Sequence, residues 1–181
     1  VRASETSELI LEHVQVPAEN MLGKQGAGFK SLGDILCQIR VMTGALALGL
    51  GEAALKSSIK YSNERVQSGQ TIANYQAIAH KIAEMGTRLE AARALVYQAA
   101  KDIDAGAKDV KLASMTKLFA TETANFIADE CTRLYGSYGF AMEYDAQRYY
   151  RDERFLLYGG GTSEVLRNII SKAIGVPESR R

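Results

Sequence analysis

Tryptophan is absent from the 181 residues, and proline and cysteine occur twice each. Pro17 and Pro177 lie near the two ends, so roughly 150 consecutive residues contain nothing that removes a helical N–H or clashes with the preceding turn. That argues against a chain cut into many short strands and favours an all-α body. Cys37 and Cys131 are far apart and match no metal or redox spacing. This excludes a zinc module and a disulfide scaffold, and it leaves two reduced core thiols of a cytoplasmic protein. Net charge is only +1, with the two signs interspersed, so nothing favours nucleic acid or an anionic membrane surface as partner. No unbroken apolar run reaches the roughly 18–20 residues that span a bilayer, and the start lacks the basic and apolar regions of a signal peptide. A small molecule or another protein is the expected partner, without a membrane span.

What the sequence does contain is long helical periodicity. The length fits one domain with a piece of another. The first residue is Val, and the opening segment reads as the middle of something. Residues 7–16 (SELILEHVQV) predict one strand leaving a sheet, with residues 1–24 as the tail of a truncated β-domain plus linker and 25–181 as a helical domain. From residue 29 to about 62, Leu32, Ile35, Leu36, Ile39, Met42, Leu46, Leu50 and Ala53 recur at steps of three and four and predict a long helix. Gly44, Gly49 and Gly51 in its middle allow a neighbouring backbone to approach closely. A polar connection over 64–71 precedes a second seam, Tyr75, Ile78, Ile82, Met85, Leu89, Ala92, Val96, Ala99 and Ile103, ending at Gly106. Asp109 is placed to cap a third helix. That helix has two apolar faces, which implies either a central place in a four-helix bundle or a neighbouring subunit. Lys117 falls within its first seam and requires a carboxylate partner or an escape route for its ammonium group.

The most distinctive stretch is 151–164, RDERFLLYGGGTSE. Three successive glycines permit positive φ and close approach to a ligand, and Thr162 or Ser163 can cap a helix over 165–174. Such a turn can hold a phosphate, a carboxylate or a polarised carbonyl oxygen, or it can be a plain connection.

In order along the chain, several short motifs now resemble the C-terminal part of the acyl-CoA dehydrogenase family. They are the strand-to-helix entry VQVPAENMLG at 14–23, Arg65-x-x-x-Gly69 followed by Gln76, and Ala113-Ser114-Met115-Thr116-Lys117. Gly136-x-x-Gly139, Glu143-Tyr144, Arg148-x-Tyr150-Arg151-Asp152 and Gly161-Thr162-Ser163-Glu164 continue the match. The resemblance covers essentially the whole chain. It implies an all-α, up-down four-helix bundle behind a short N-terminal β/loop segment, in a flavoprotein that dehydrogenates acyl-CoA thioesters at Cα–Cβ.

The resemblance further implies FAD as cofactor, an electron-acceptor flavoprotein as partner, and a homodimer or homotetramer, with a heteromer possible. Arg65, Tyr75, Gln76, Arg133, Gly136 and Ser137 fall where the family contacts the flavin nucleotide of a neighbouring subunit. Thr162, Ser163 and Glu164 fall at further flavin contacts, and Cys37, Gln38, Arg40 and Gly161 at the acyl-CoA pocket. A guanidinium beside a helix end suits a pyrophosphate. The family's catalytic glutamate, aligned from Arg151-Asp152 through Gly161-Thr162, falls on Gly160, and its alternative position before the arginine matching Arg40 is Ile39. Asp34, nearly two turns earlier, is the remaining candidate on that helix. Ser68 and Ser137 replace a frequent Phe and Gly of the family. A non-catalytic subunit that completes a partner's FAD site, or a flavin oxidase or monooxygenase, stays open beside the dehydrogenase. No metal site is expected.

Overall fold

The structure is a computed structural model that describes Val1 and residues 4–176. Three long helices, α1 (Gly28–Glu64), α2 (Gln76–Asp104) and α3 (Val110–Tyr135), are followed by two short ones, α4 (Ala146–Arg154) and α5 (Ser163–Ala173). The four-helix expectation holds, with its fourth column broken in two at the glycine turn. α3 lies at the centre and packs against α1, α2, α4 and α5, as a central place in the bundle requires. Its first seam, Ala113, Ala120, Ala124, Ile127, Cys131 and Leu134, is buried, while Phe119 on the second face stays exposed.

The buried seam of α1 differs from the one expected. Cys37, Val41, Gly44, Leu48, Gly51 and Ala54 face the core, whereas Leu32, Ile35, Ile39, Met42 and Leu46 face outward. Small residues win the inner face because the helices approach too closely for large ones. A Cβ on Gly44 would stand 3.2 Å from both Thr116 Cγ2 and Val96 Cγ2, and one on Gly51 3.2 Å from Leu89 Cδ1. α2 buries the expected Met85, Leu89, Ala92, Val96 and Ala99. Asp109 caps α3 as predicted, its Oδ1 accepting from the Leu112 N–H at 2.9 Å.

One further expectation fails. Residues 7–16 form no strand, and the whole of residues 4–24 contains none; Leu9, Ile10, Leu11, Val14 and Val16 are exposed, because no second strand supplies ladder partners. α1 is also long and apolar enough by composition to cross a membrane, which the sequence reading missed because it looked for unbroken apolar runs. The same helix carries core residues against α2 and α3, so its apolarity has a use within the bundle. The connection after α1 contains a small antiparallel hairpin, β1 (Val66–Gln67) and β2 (Gln70–Thr71), turning through Ser68 (φ 53°) and Gly69 (φ 84°).

Candidate functional site

Two groups of predicted residues lie at opposite ends of α3. At the N-terminal end the glycine turn is held from inside the bundle. Gly160 (φ 75°) and Gly161 (φ 113°) take left-handed backbone that L side chains rarely adopt. Arg40 of α1 donates from Nε to the Gly160 carbonyl at 3.1 Å and from Nη1 to Ser114 Oγ at 3.2 Å. Lys117 of α3 donates from Nζ to the carbonyls of Leu157 at 3.0 Å and Gly161 at 2.8 Å. The expected carboxylate partner of Lys117 is therefore replaced by two backbone oxygens.

Both cations are buried, Arg40 at 5% and Lys117 at 0% relative exposure, and among the described residues neither forms an ion pair. Burial, helped by the neighbouring Arg40 charge, brings the Lys117 ammonium down to about 8, and burial likewise lowers the pKa of Arg40. Just beyond the turn, Thr162 Oγ1 accepts from the Val165 N–H at 3.4 Å and caps α5. Ser163 is buried in the first turn of α5. Glu164 beside it is exposed, and its own backbone N–H and the Thr162 hydroxyl hold its carboxyl below the usual range. A fixed turn, a helix N-terminus and two unneutralised cations together favour an anion or a polarised oxygen.

The Cys37–Arg40 turn divides between two faces. Arg40 reaches the glycine turn, while Cys37 and Gln38 line a separate cleft with Asp34, Ile103, Gly106 and Lys108. Asp34 Oδ2 accepts from Lys108 Nζ at 2.7 Å, which holds its carboxyl below the usual range. Six helical residues separate Asp34 from Arg40, about 120° around the axis, so Asp34 does not share the face of Arg40. Burial pushes the Cys37 thiol up.

At the other end of α3, about 28 Å from Lys117 at 1.5 Å per residue, lies the second group. Arg65 follows α1 and stands 5.7 Å from the ring centroid of Tyr138. Tyr75 donates its hydroxyl to the Gln67 carbonyl at 2.9 Å and so ties the hairpin to the start of α2, where Gln76 is exposed. A cleft of about 610 Å³ at this end of α3 is lined by Thr132, Arg133, Gly136, Phe140, Gln147, Tyr150 and Arg151 among others. Arg133 is partly neutralised by Asp129 at 2.8 Å. The buried Gln147 Oε1 has no partner, and Gly136 (φ 58°) has open space where a Cβ would stand. Two guanidiniums, bare backbone and aromatic rings form a donor set that fits a phosphorylated aromatic cofactor.

Sequence reasoning missed Glu153. It is fully buried on α4 with both oxygens unpartnered, and burial lifts its carboxyl to about 7. The signal was available: Ala146, Tyr149, Glu153 and Leu156 are the buried positions of this segment and recur at steps of three and four.

The family profile described as acyl-CoA dehydrogenase, C-terminal domain, matches residues 26–175. The chain is 48% identical over 175 residues to benzylmalonyl-CoA dehydrogenase of Aromatoleum aromaticum, covering 96% of this chain and 46% of that protein. It is 42% identical to the caffeyl-CoA reductase-Etf complex subunit CarC of Acetobacterium woodii, covering 92% and 44%. Among solved structures, butyryl-CoA dehydrogenase from Megasphaera elsdenii superimposes with a TM-score of 0.88 at 38% identity, covering 91% and 43%. An acyl-CoA dehydrogenase complexed with FAD from Bacillus anthracis gives 0.83 at 30% identity, covering 91% and 32%. The chain thus spans less than half the length of each. With three long helices, a fourth column broken at a latched glycine turn, and this match over most of its residues, the chain belongs to the acyl-CoA dehydrogenase family, whose C-terminal domain it represents.

Proposed function

We propose that the whole protein containing this chain is an FAD-dependent acyl-CoA dehydrogenase that introduces a Cα–Cβ double bond into an acyl-CoA thioester. The single observation that carries this reading is the latch of Arg40 and Lys117 on the glycine turn, which fixes a cationic, ligand-ready turn where the family handles its thioester. When bound, FAD supplies the two-electron acceptor. Arg65, Arg133, Gly136 and Ser137, with Tyr75 and Gln76 beside them, would hold its nucleotide part. Thr162, Ser163 and Glu164 would meet the flavin end, and Arg40 and Gly161 the acyl thioester. Cys37 and Gln38 would border the chain's entry on the adjacent face.

About 28 Å between Lys117 and the C-terminal end of α3 supports the two groups serving two different flavins, each completed by a second copy, in a homodimer or homotetramer. The exposed stripe Leu32, Ile35, Ile39, Met42 and Leu46, with the exposed apolar residues of 7–16, supports residues 1–24 as the tail of a preceding β-domain that covers this face. The Etf named with the Acetobacterium relative supports an electron-transferring flavoprotein as acceptor. Two free buried thiols support a reducing, cytoplasmic setting. The name of the Aromatoleum relative denotes a thioester with a carboxyl group on its α-carbon, a feature that also suits a site with unneutralised cations.

The visible spectrum of the complete protein, recorded before and after anaerobic addition of acyl-CoA substrates, tests the reading. A yellow protein bleached by a thioester is expected. A colourless protein that binds no FAD would make it an assembly subunit, and bleaching that occurs only with NAD(P)H would make it an oxidase or monooxygenase.

A further inference from the structure

We propose, resting on the acyl-CoA reading above, that the substrate taken at the glycine turn carries a carboxylate on its α-carbon, and that loss of this group as CO2 replaces removal of an α-proton by a protein base. Every carboxylate near the turn is accounted for otherwise. Positions 39 and 160 hold Ile and Gly. Asp34 is engaged by Lys108 on another face. Glu122 is paired with Arg167 at 2.5 Å. Glu164 is turned onto Thr162 and its own N–H, which makes it a weak base. Glu153 is sealed in the core at 0% exposure. None of these four carboxylates is free to face a Cα–H at the turn.

The charge balance points the same way. Arg40 and Lys117 bring two positive charges into the interior, and every hydrogen bond they make ends on a neutral oxygen. Glu122 and Glu164 act on Lys117 without forming an ion pair with it, and burying charge so weakly compensated is costly, so the site gains from a ligand that brings an anion with it. A plain acyl group is neutral there; a 2-carboxyacyl group is not. The turn lies close against the arginine, since a Cβ on Gly160 would be in ordinary contact with Arg40 Cγ at 3.7 Å and Ile39 Cγ2 at 3.8 Å.

For a substrate R–CH2–CH(COO⁻)–CO–S–CoA, the bond from Cα to the carboxylate carbon breaks, CO2 leaves, and the electron pair stays on Cα as the thioester enolate. That pair forms the Cα=Cβ bond as the Cβ–H departs as hydride to the two-electron oxidant, oxidised flavin. Charge is conserved with no proton released, so no base is needed. The positive potential of the latched turn stabilises the negative charge that develops on the enolate oxygen.

The test uses the full-length flavoprotein and two matched pairs of thioesters, butyryl-CoA with ethylmalonyl-CoA and 3-phenylpropanoyl-CoA with benzylmalonyl-CoA, the carboxylated members deuterated at Cα. Expected is flavin bleaching at least 100-fold faster for the carboxylated member of a pair, with one CO2 per flavin reduced and the deuterium retained in the enoyl product. Comparable bleaching by the uncarboxylated members, or loss of the deuterium to solvent, overturns the proposal while leaving the dehydrogenase intact. A yellow protein bleached by none of the four sinks both. Binding to the dithionite-reduced protein, where oxidation cannot follow, gives a second readout. Affinity should be at least tenfold higher for the carboxylated member, and Lys117→Met should erase that preference; equal affinities in the unmodified protein overturn the proposal.

Discussion

At the N-terminal end of α3, Lys117 is fully buried and, with Arg40, holds three backbone carbonyls of the segment between α4 and α5, while the buried Ser114 accepts from Arg40. At the C-terminal end, Arg65, Gln76, Arg133 and Ser137 are exposed, and the guanidinium of Arg65 lies over the ring of Tyr138. One end is preorganised by the bundle interior. The other offers side chains to be ordered by whatever docks on them. The difference teaches that one helix can carry a site whose geometry belongs to the fold and another whose geometry awaits a partner. α4 joins the two ends.

The largest expected effect falls on that joining helix. Glu153 has a carboxyl raised to about 7 in the folded chain against an ordinary 4.5, so the folded state holds the extra proton between those values. Stability therefore falls as pH rises from 4.5 to 7, by up to about 3 kcal/mol, and stays reduced above that. Glu153→Gln should abolish the slope and raise the denaturation midpoint at pH 8; urea titrations from pH 5 to 8 with an unchanged slope would refute this placement of Glu153. Next, Lys117→Met releases the carbonyls of Leu157 and Gly161 and should slow substrate-driven flavin bleaching in the full-length protein by roughly 100-fold, the order expected for a misplaced reacting group. Gly160→Ala places a Cβ at φ 75° and should cost about 1 kcal/mol in thermal unfolding, since the surrounding contacts are ordinary. The smallest effect on stability belongs to the exposed end: Arg65→Ala should change it by no more than about 0.5 kcal/mol while weakening FAD retention on gel filtration of the full-length protein. A large stability loss for Arg65→Ala would erase the contrast between the ends.

Much of the fold was legible in advance because periodicity is a local property. The seam Met85, Leu89, Ala92, Val96 and Ala99, the Asp109 cap and the caps around Thr162 needed only residue spacing and hydrogen-bonding chemistry. The inner face of α1 was misread because large apolar residues were favoured over a stripe of small ones, and only the close approach of Thr116, Val96 and Leu89 reveals which stripe is inside. Residues 7–16 have strand composition but no strand, since a ladder needs a partner that composition cannot supply.

By itself the sequence determined the helices, the glycine turn at 159–161, the family and the lack of a carboxylate at positions 39 and 160, all of which are written in residue identity and order. Only the tertiary structure decided how Lys117 and Glu153 live with their burial. Lys117 found backbone carbonyls, which every residue possesses and no sequence pattern marks. Glu153 found nothing and responds by holding its proton. Hydrogen-bond partners and dielectric surroundings come from helices distant in the chain, and so they exist only once the bundle has closed.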